Sequence, residues 1–274
     1  MNKKAAIVTG ASSGIGKATA IQLNKEGYTV FAGSRRVEQM KDLEKIGIKT
    51  LKLDVTDEKS NQDFVDYVLS ASSSIDVIVN AAGYGSLGAL EDVPLQEARN
   101  QFEVNVFGAM NLTQLILPTM RKQKSGKIIN ISSVGGQIYS PLGGWYYASK
   151  HAIETLSDTL RNELKPFRID VIIIEPGGTD TGWQEVANET MKKSTPHNSA
   201  YRKLVEQFAA MSSDNYATSP NNIAELILKS IKDKKPKTRY QPSMKETMIV
   251  LAARKLPYKL FDRVIEGQMR RMMK

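Results

Sequence analysis

From Ala5 onward, short runs of apolar and β-branched residues alternate with stretches whose apolar positions recur at helical spacing. AAIVTG (5–10) predicts a first strand, followed by a helix over 14–26. TVFAGS (29–34) predicts the second strand, with a helix over 37–45, and TLKLDV (50–55) the third. A helix over 57–70 leads to DVIVNAA (76–82), and a long helical stretch over 94–122 leads to GKIINISS (126–133). Ile153, Leu156, Leu160 and Leu164 mark the apolar face of a further helix, and IDVIIIEPG (169–177) is the sixth strand. The strand runs are continuously apolar rather than alternating, so both faces of the sheet must be covered. Together with the βαβα order this predicts an α/β fold, a doubly wound, Rossmann-like parallel sheet with helices on both faces. The pattern predicts one domain over 1–242, with a substrate-loop region at 182–218. A helical C-terminal extension, a basic amphipathic tail, covers 243–274.

Composition narrows the chemistry. The chain has no cysteine, which excludes disulfides, thiolate metal sites and cysteine nucleophiles. Its two histidines, His151 and His197, lack ligand-like spacing, so no metal site is expected, and His151 reads as a polar position on a helix surface. No apolar run reaches the roughly 18 residues of a membrane span, and the start has no secretory apolar segment, so a cytoplasmic location is expected. The net charge of +9 is unevenly placed. Residues 230–274 hold 13 basic and 4 acidic residues, so the tail carries the whole excess and the body is neutral.

Candidate chemistry gathers at the carboxyl ends of the strands, where such sheets bind ligands. TGASSGIG places Gly10, Gly14 and Gly16 directly after the first strand and at the start of a helix. Glycines there permit a tight turn and let backbone amides approach a pyrophosphate. The second strand ends in Ser34, Arg35 and Arg36, with no carboxylate to hold a ribose 2′-hydroxyl. An arginine there accommodates a 2′-phosphate, so NADP is the expected cofactor, with Arg35, nearest the strand, as its reader. Lys17 is either a helper or a solvated lysine. In GGWYYASKH (143–151), Tyr146 lies four residues before Lys150 and Tyr147 three. Either pairing could place a phenol beside a cation on one helix face.

TGASSGIG, VNAAG (79–83), the Asn of VNVFG (104–108), INISS (129–133), Y-x-x-x-K and PGGTDT (176–181) occur in this order. Over residues 4–182 the chain resembles the short-chain dehydrogenase/reductase superfamily, in its compact single-domain branch. The resemblance implies a catalytic set of Asn105, Ser133, Tyr146 and Lys150, and it selects Tyr146 over Tyr147 and Ser133 over Ser132. It implies that the backbone of Asn105 holds a water linking Lys150 to solvent, and that Lys150 also binds the nicotinamide ribose. Cofactor contacts are expected from Gly10, Ser12, Ser13, Gly14, Ile15, Gly16, Arg35, Asp54, Val55, Asn80, Ala81, Gly83, Tyr146, Lys150, Pro176, Gly177, Thr179 and Thr181. The family's usual second Asn in NNAG is Ala81 here, which leaves local hydrogen bonding at that turn open.

The chemistry fits these types. Hydride addition to a carbonyl leaves an alkoxide, so a proton donor must stand within reach. A lysine cation lowers the pKa of a phenol whose reference value is about 10, and a serine hydroxyl holds the carbonyl oxygen. The expected activity is interconversion of an alcohol and a ketone or aldehyde with NADP(H). Gln137, Tyr139, Trp145 and Trp183 are expected to wall the pocket, and the two tryptophans with the Met-bearing stretch to Met211 suggest an apolar, steroid-, retinoid- or lipid-like substrate. Two other readings are a catalytically silent dinucleotide-binding regulator and a sugar-nucleotide epimerase or dehydratase. A homo-oligomer is expected.

In the tail, Phe261, Val264, Ile265, Met269 and Met272 share one helical face, with Lys259, Arg263, Arg270 and Arg271 on the remainder. Pro257 is expected to split the tail, its first helix built on Met248, Leu251 and Ala252. Such a basic amphipathic segment suits either a peripheral membrane contact or packing on protein. Nucleic acid is not an expected partner, because no recognition motif or stacking aromatic accompanies the charge.

Overall fold

A computed structural model describes residues 3–210 and 218–272, the side chains of residues 268, 271 and 272 excepted. Met211, placed above beside the substrate region, and the side chains of Arg271 and Met272 lie outside what is described.

Seven parallel strands form one sheet in the order β3-β2-β1-β4-β5-β6-β7. They are β1 (Ala5–Thr9), β2 (Thr29–Ser34), β3 (Lys49–Lys52), β4 (Val77–Asn80), β5 (Gly126–Ile131), β6 (Ile169–Ile174) and β7 (Arg239–Tyr240). The helices are α1 (Gly14–Lys25), α2 (Lys41–Glu44), α3 (Glu58–Ala71), α4 (Leu95–Phe102), α5 (Ala109–Gln123), α6 (Gly144–Leu164), α7 (Trp183–Ser194), α8 (Arg202–Ala210), α9 (Pro220–Lys232), α10 (Met244–Lys255) and α11 (Tyr258–Met272). Side chains alternate between the two faces of a strand, so β1 feeds two cores. Ala6 and Val8 pack with Leu23 of α1 and Ile223 and Ile227 of α9. Ala5 and Ile7 pack with Phe64 and Val68 of α3 and Leu112 and Ile116 of α5. Strand order reverses between β1 and β4, and the crevice at that switch point is where such sheets take a ligand.

Several elements differ from those expected. Asp54 and Val55 lie beyond β3, which ends at Lys52, in a turn where Asp54 Oδ1 accepts from Thr56 N at 3.1 Å. The long helix over 94–122 is interrupted by a π-helical turn, Glu103–Gly108, between α4 and α5. The two-residue β7 was not anticipated, because KTRYQP has no apolar run to announce a strand. The helix over 37–45 resolves into a 3-10 turn, Val37–Met40, and the short α2. Among the described residues, no helix is long and apolar enough to cross a membrane.

The tail does split at Pro257, but α10 is turned opposite to expectation. It buries Glu246 and Val250 and leaves Met244 73%, Met248 64% and Leu251 48% exposed. On α11, Phe261, Ile265 and Met269 are half-buried while Val264 is exposed. Phe261 packs edge-on against Tyr139, with ring centroids 4.9 Å apart, and the Tyr139 hydroxyl donates to Asp262 at 2.8 Å.

Candidate active site

The glycine turn is shaped by what a side chain would strike. Gly10 and Gly14 have φ of 67° and 54°, values that a Cβ strongly disfavours. A Cβ on Gly10 would lie 2.9 Å from the Ala81 carbonyl oxygen, and one on Gly16 would collide with the Gly10 carbonyl. Ser13 makes no side-chain cap to α1, so its hydroxyl does not cover the first amides of the helix. Thr9 Oγ1 accepts from Ala81 N and Ala82 N, both at 3.0 Å, which ties the turn to the end of β4 despite the missing second Asn. A helix start whose first amides carry no side-chain cap, at the switch-point crevice, fits a dinucleotide pyrophosphate.

Two of the expected cofactor residues also have structural partners. Asn80 is buried and its amide nitrogen donates to Asn130 Oδ1 at 2.8 Å, while Asn130 donates to Ser157 at 2.8 Å. Its side chain braces the sheet rather than the crevice. Val55 is buried, and its carbonyl faces Gly108 of the π turn. Thr181 does reach the turn, since a Cβ on Gly14 would lie 3.0 Å from Thr181 Cβ. Thr179 bridges to Thr218, and Pro176 receives the Ser133 hydroxyl at 3.3 Å.

At the end of β2 both arginines are exposed, and Arg36 rather than Arg35 touches the turn. Its guanidinium Nη2 donates to Ser12 Oγ at 3.1 Å and Ser13 Oγ at 3.3 Å. The sequence reading passed over Arg36 because distance from the strand was its only criterion. Lys17 is paired with Asp42 at 2.8 Å, at the other end of the short α2 region.

The four residues of the implied catalytic set converge on one place. Tyr146 and Lys150 share a face of α6, and Ser133 follows β5 beside them. Asn105 sits in the π turn, a feature frequent at functional sites. Its amide donates to Tyr84 O at 2.9 Å and Ser149 Oγ at 3.1 Å and accepts from Tyr84 N at 3.0 Å. A Cβ on Gly83 would come 3.2 Å from Asn105 Oδ1 and 3.8 Å from Lys150 Nζ. Lys150 Nζ donates to the Ile131 carbonyl at 2.9 Å and lies 5.9 Å from the centre of the Tyr146 ring.

Burial dominates the electrostatics. It pushes the Tyr146 phenol up to about 12, against the pull of the Ser133 hydroxyl. It pushes Lys150 down to about 8, against the attraction of Glu154. The expected depression of Tyr146 by the Lys150 cation is therefore overridden in the protein alone. Tyr146 is a neutral phenol at physiological pH. That is the form that can donate a proton to an alkoxide, a much stronger base.

Tyr147 is packed, not poised. Its ring fills the space that side chains at Gly135 and Gly143 would need, and its hydroxyl bonds Ser140 at 3.0 Å. Trp183 opens α7 directly after Gly182 and packs tilted against Tyr146, with ring centroids 5.0 Å apart, over Gly85. Leu87, Ala89, Leu142, Ala187 and Met191 form an apolar cluster against which Tyr146 and Trp183 pack. His151 is exposed on α6, with Nδ1 2.9 Å from Tyr147 O.

Comparison with known proteins agrees with this geometry. The family described as short chain dehydrogenase matches residues 4–192. A 3-ketodihydrosphingosine reductase of Bacteroides thetaiotaomicron is 36% identical over 87% of each chain. An NADPH-dependent 3-dehydrocapnine reductase of Ornithobacterium rhinotracheale is 32% identical over 97% of this chain and 98% of the relative. The crystal structure of a short-chain dehydrogenase from Streptomyces avermitilis superposes with a TM-score of 0.82, at 32% identity over 97% of this chain and 98% of that one. With a glycine-lined crevice at the switch point, a convergent Ser–Tyr–Lys–Asn set and relatives matched along nearly their whole length, the chain belongs to the short-chain dehydrogenase family of oxidoreductases.

Proposed function

We propose that the protein is an NADP(H)-dependent reductase of a ketone carried on an apolar, lipid-like substrate. The observation that carries this reading is the convergence of Ser133, Tyr146 and Lys150 beside an apolar cluster at the crevice. Bound nicotinamide supplies a hydride to the carbonyl carbon. Ser133 holds the carbonyl oxygen, and Tyr146 delivers its proton as charge develops there. Lys150, charged below about pH 8, stabilises the phenolate left behind, and a proton from solvent, entering by way of the Asn105 turn, restores the phenol.

Preference for the phosphorylated cofactor is supported by Arg35 and Arg36 at the end of β2 and by the absence of a carboxylate there. Of the two named relatives, one is by name a 3-ketodihydrosphingosine reductase and the other an NADPH-dependent 3-dehydrocapnine reductase. Steady-state oxidation of NADPH and NADH with a panel of short- and long-chain ketones tests the reading. Turnover with NADPH that rises with chain length supports it, and turnover confined to NADH or to short polar ketones overturns it. The intact Tyr146 and Lys150 disfavour the silent-regulator reading, and the family match disfavours the epimerase. The proposed setting is the cytoplasm, as a homo-oligomer. The outward stripe of Met244, Met248 and Leu251 beside the basic tail residues is proposed to rest on anionic lipid.

A further inference from the structure

One group of buried charges has no part in the chemistry described so far. Glu154 lies one turn beyond Lys150 on α6 and is 4% exposed, and Glu175, just past β6, is 0% exposed. Arg239 of β7 holds both, with Nη2 2.8 Å from Glu154 and Nε 3.4 Å from Glu175, and it also pairs with Asp158 at 2.7 Å. Gln137 Nε2 donates to a carboxylate oxygen of each glutamate at 3.0 Å, and Gln241 donates to Glu175. The cluster lies directly behind the reacting hydroxyls. Glu175 precedes Pro176, which receives the Ser133 hydroxyl, and Gly136 leaves room for Glu154 beside Ser132.

Stability alone does not account for this arrangement, because buried ion pairs are often no more stabilising than apolar residues of the same volume. Lys150 supplies a reason. It is 7% exposed and its hydrogen bond goes to a neutral acceptor, the Ile131 carbonyl, so burial favours loss of its proton. The anionic group that opposes this is Glu154. Burial first, and the Glu175 charge second, push Glu154 itself up to about 7, while Ser132 and Arg239 pull it back.

We propose that Glu154 is a positioning residue for the reduction: clamped against Glu175 by Arg239 and Gln137 and buried four residues beyond Lys150 on α6, its carboxylate keeps the Lys150 ammonium charged behind Tyr146. The inference rests on the reductase reading above. The charged groups around Glu154 are Arg239 on β7, which it contacts, Asp158 and Glu175, which share that arginine, and Lys150, one turn before it on α6; Arg254 of α10 reaches the cluster through Gln137.

The test is Glu154→Gln, with Asp158→Asn as a control that also removes an Arg239 partner but two turns from Lys150. In the pH profile of kcat/KM for NADPH-driven reduction, Glu154→Gln is expected to move the alkaline limb to lower pH by about half a unit or more. At a fixed pH above the limb that is about a threefold extra loss of rate. Asp158→Asn is expected to lower Tm with the limb unmoved. Glu154→Asp, which retains the charge, is expected to restore the limb even if Tm falls, and it replaces the amide variant should that fail to fold. Side-chain 15N NMR of lysine, read on the protein without substrate, follows the same titration independently of turnover. A lower Lys150 midpoint in Glu154→Gln supports the proposal. An unchanged midpoint and an unchanged limb, with only Tm lowered, overturn it. Absence of any ketone turnover in the native protein would sink the reductase reading instead, and the NMR titration would still decide the link between Glu154 and Lys150.

Discussion

Where β1 and β2 end, the chain presents glycines, backbone amides and two exposed arginines. Where β5, β6 and β7 end, it presents buried hydroxyls, carboxylates and cations. The first half of the edge is defined by the absence of side chains, since a Cβ on Gly10 or Gly16 would run into backbone atoms that have no freedom to move. The second half is defined by side-chain charge in a place where water is scarce. Geometry limits the first half and protonation limits the second, so the two should respond differently to substitution and to pH.

The largest expected effect belongs to the second half. Removing the Tyr146 hydroxyl in Tyr146→Phe is expected to reduce kcat by about 10²–10⁴-fold while NADPH binding, followed by fluorescence, survives. Tyr147→Phe loses the bond to Ser140, worth about 1 kcal/mol, and is expected to retain most turnover. If the two variants exchanged behaviour, the helical register argued for α6 would be wrong. For the native protein, the reduction rate is expected to be level near neutrality and to fall above about pH 8. Lys150 titrates there with a pKa lowered by burial and so loses its charge as pH rises through that value.

In the first half, Gly16→Ala is expected to weaken NADPH binding at least tenfold and to destabilise the fold by about 1–3 kcal/mol, because the new methyl group meets the Gly10 carbonyl. Gly267→Ala, on α11 with nothing near a Cβ, is the matched control and is expected to leave Tm unchanged or slightly raised. Equal effects at the two glycines would break the contrast between the halves. Arg36→Ala and Arg35→Ala are expected to raise the KM for NADPH by about tenfold and leave that for NADH nearly unchanged, the loss of one charge-assisted contact each. A larger effect at Arg36 would follow from its contact with Ser12 and Ser13.

The smallest effect on turnover is expected from the tail. Met248→Glu combined with Leu251→Glu places two charges on the outward stripe of α10. The native chain is expected to cosediment with anionic vesicles at low salt, each nearby Lys or Arg adding on the order of 1 kcal/mol, and the double variant to remain in the supernatant. A native chain that stays in solution would end the proposal of a lipid contact.

The order of strands and helices was legible because each is written locally, in apolar runs and helical spacings over fewer than thirty residues. The same holds for the glycine turn and for Tyr146 and Lys150, whose relation is a matter of one helical turn. The orientation of α10 was not legible, since Met248, Leu251 and Ala252 look like an inward face until the protein shows which side meets it. The position of Asn80 at the end of β4 was legible, while its partner Asn130, fifty residues away, was not.

What the sequence by itself determined is therefore the fold, the family and the residues whose chemistry depends on neighbours along one element. The tertiary structure alone decided that Arg36 lies over the glycine turn and that Arg239, 85 residues beyond Glu154, closes a buried acid pair behind the active site. It also decided that burial, rather than the lysine, sets the protonation of Tyr146. The physical reason is common to all three: desolvation and ion pairing depend on which distant segments exclude water together, and no local spacing along the chain encodes that.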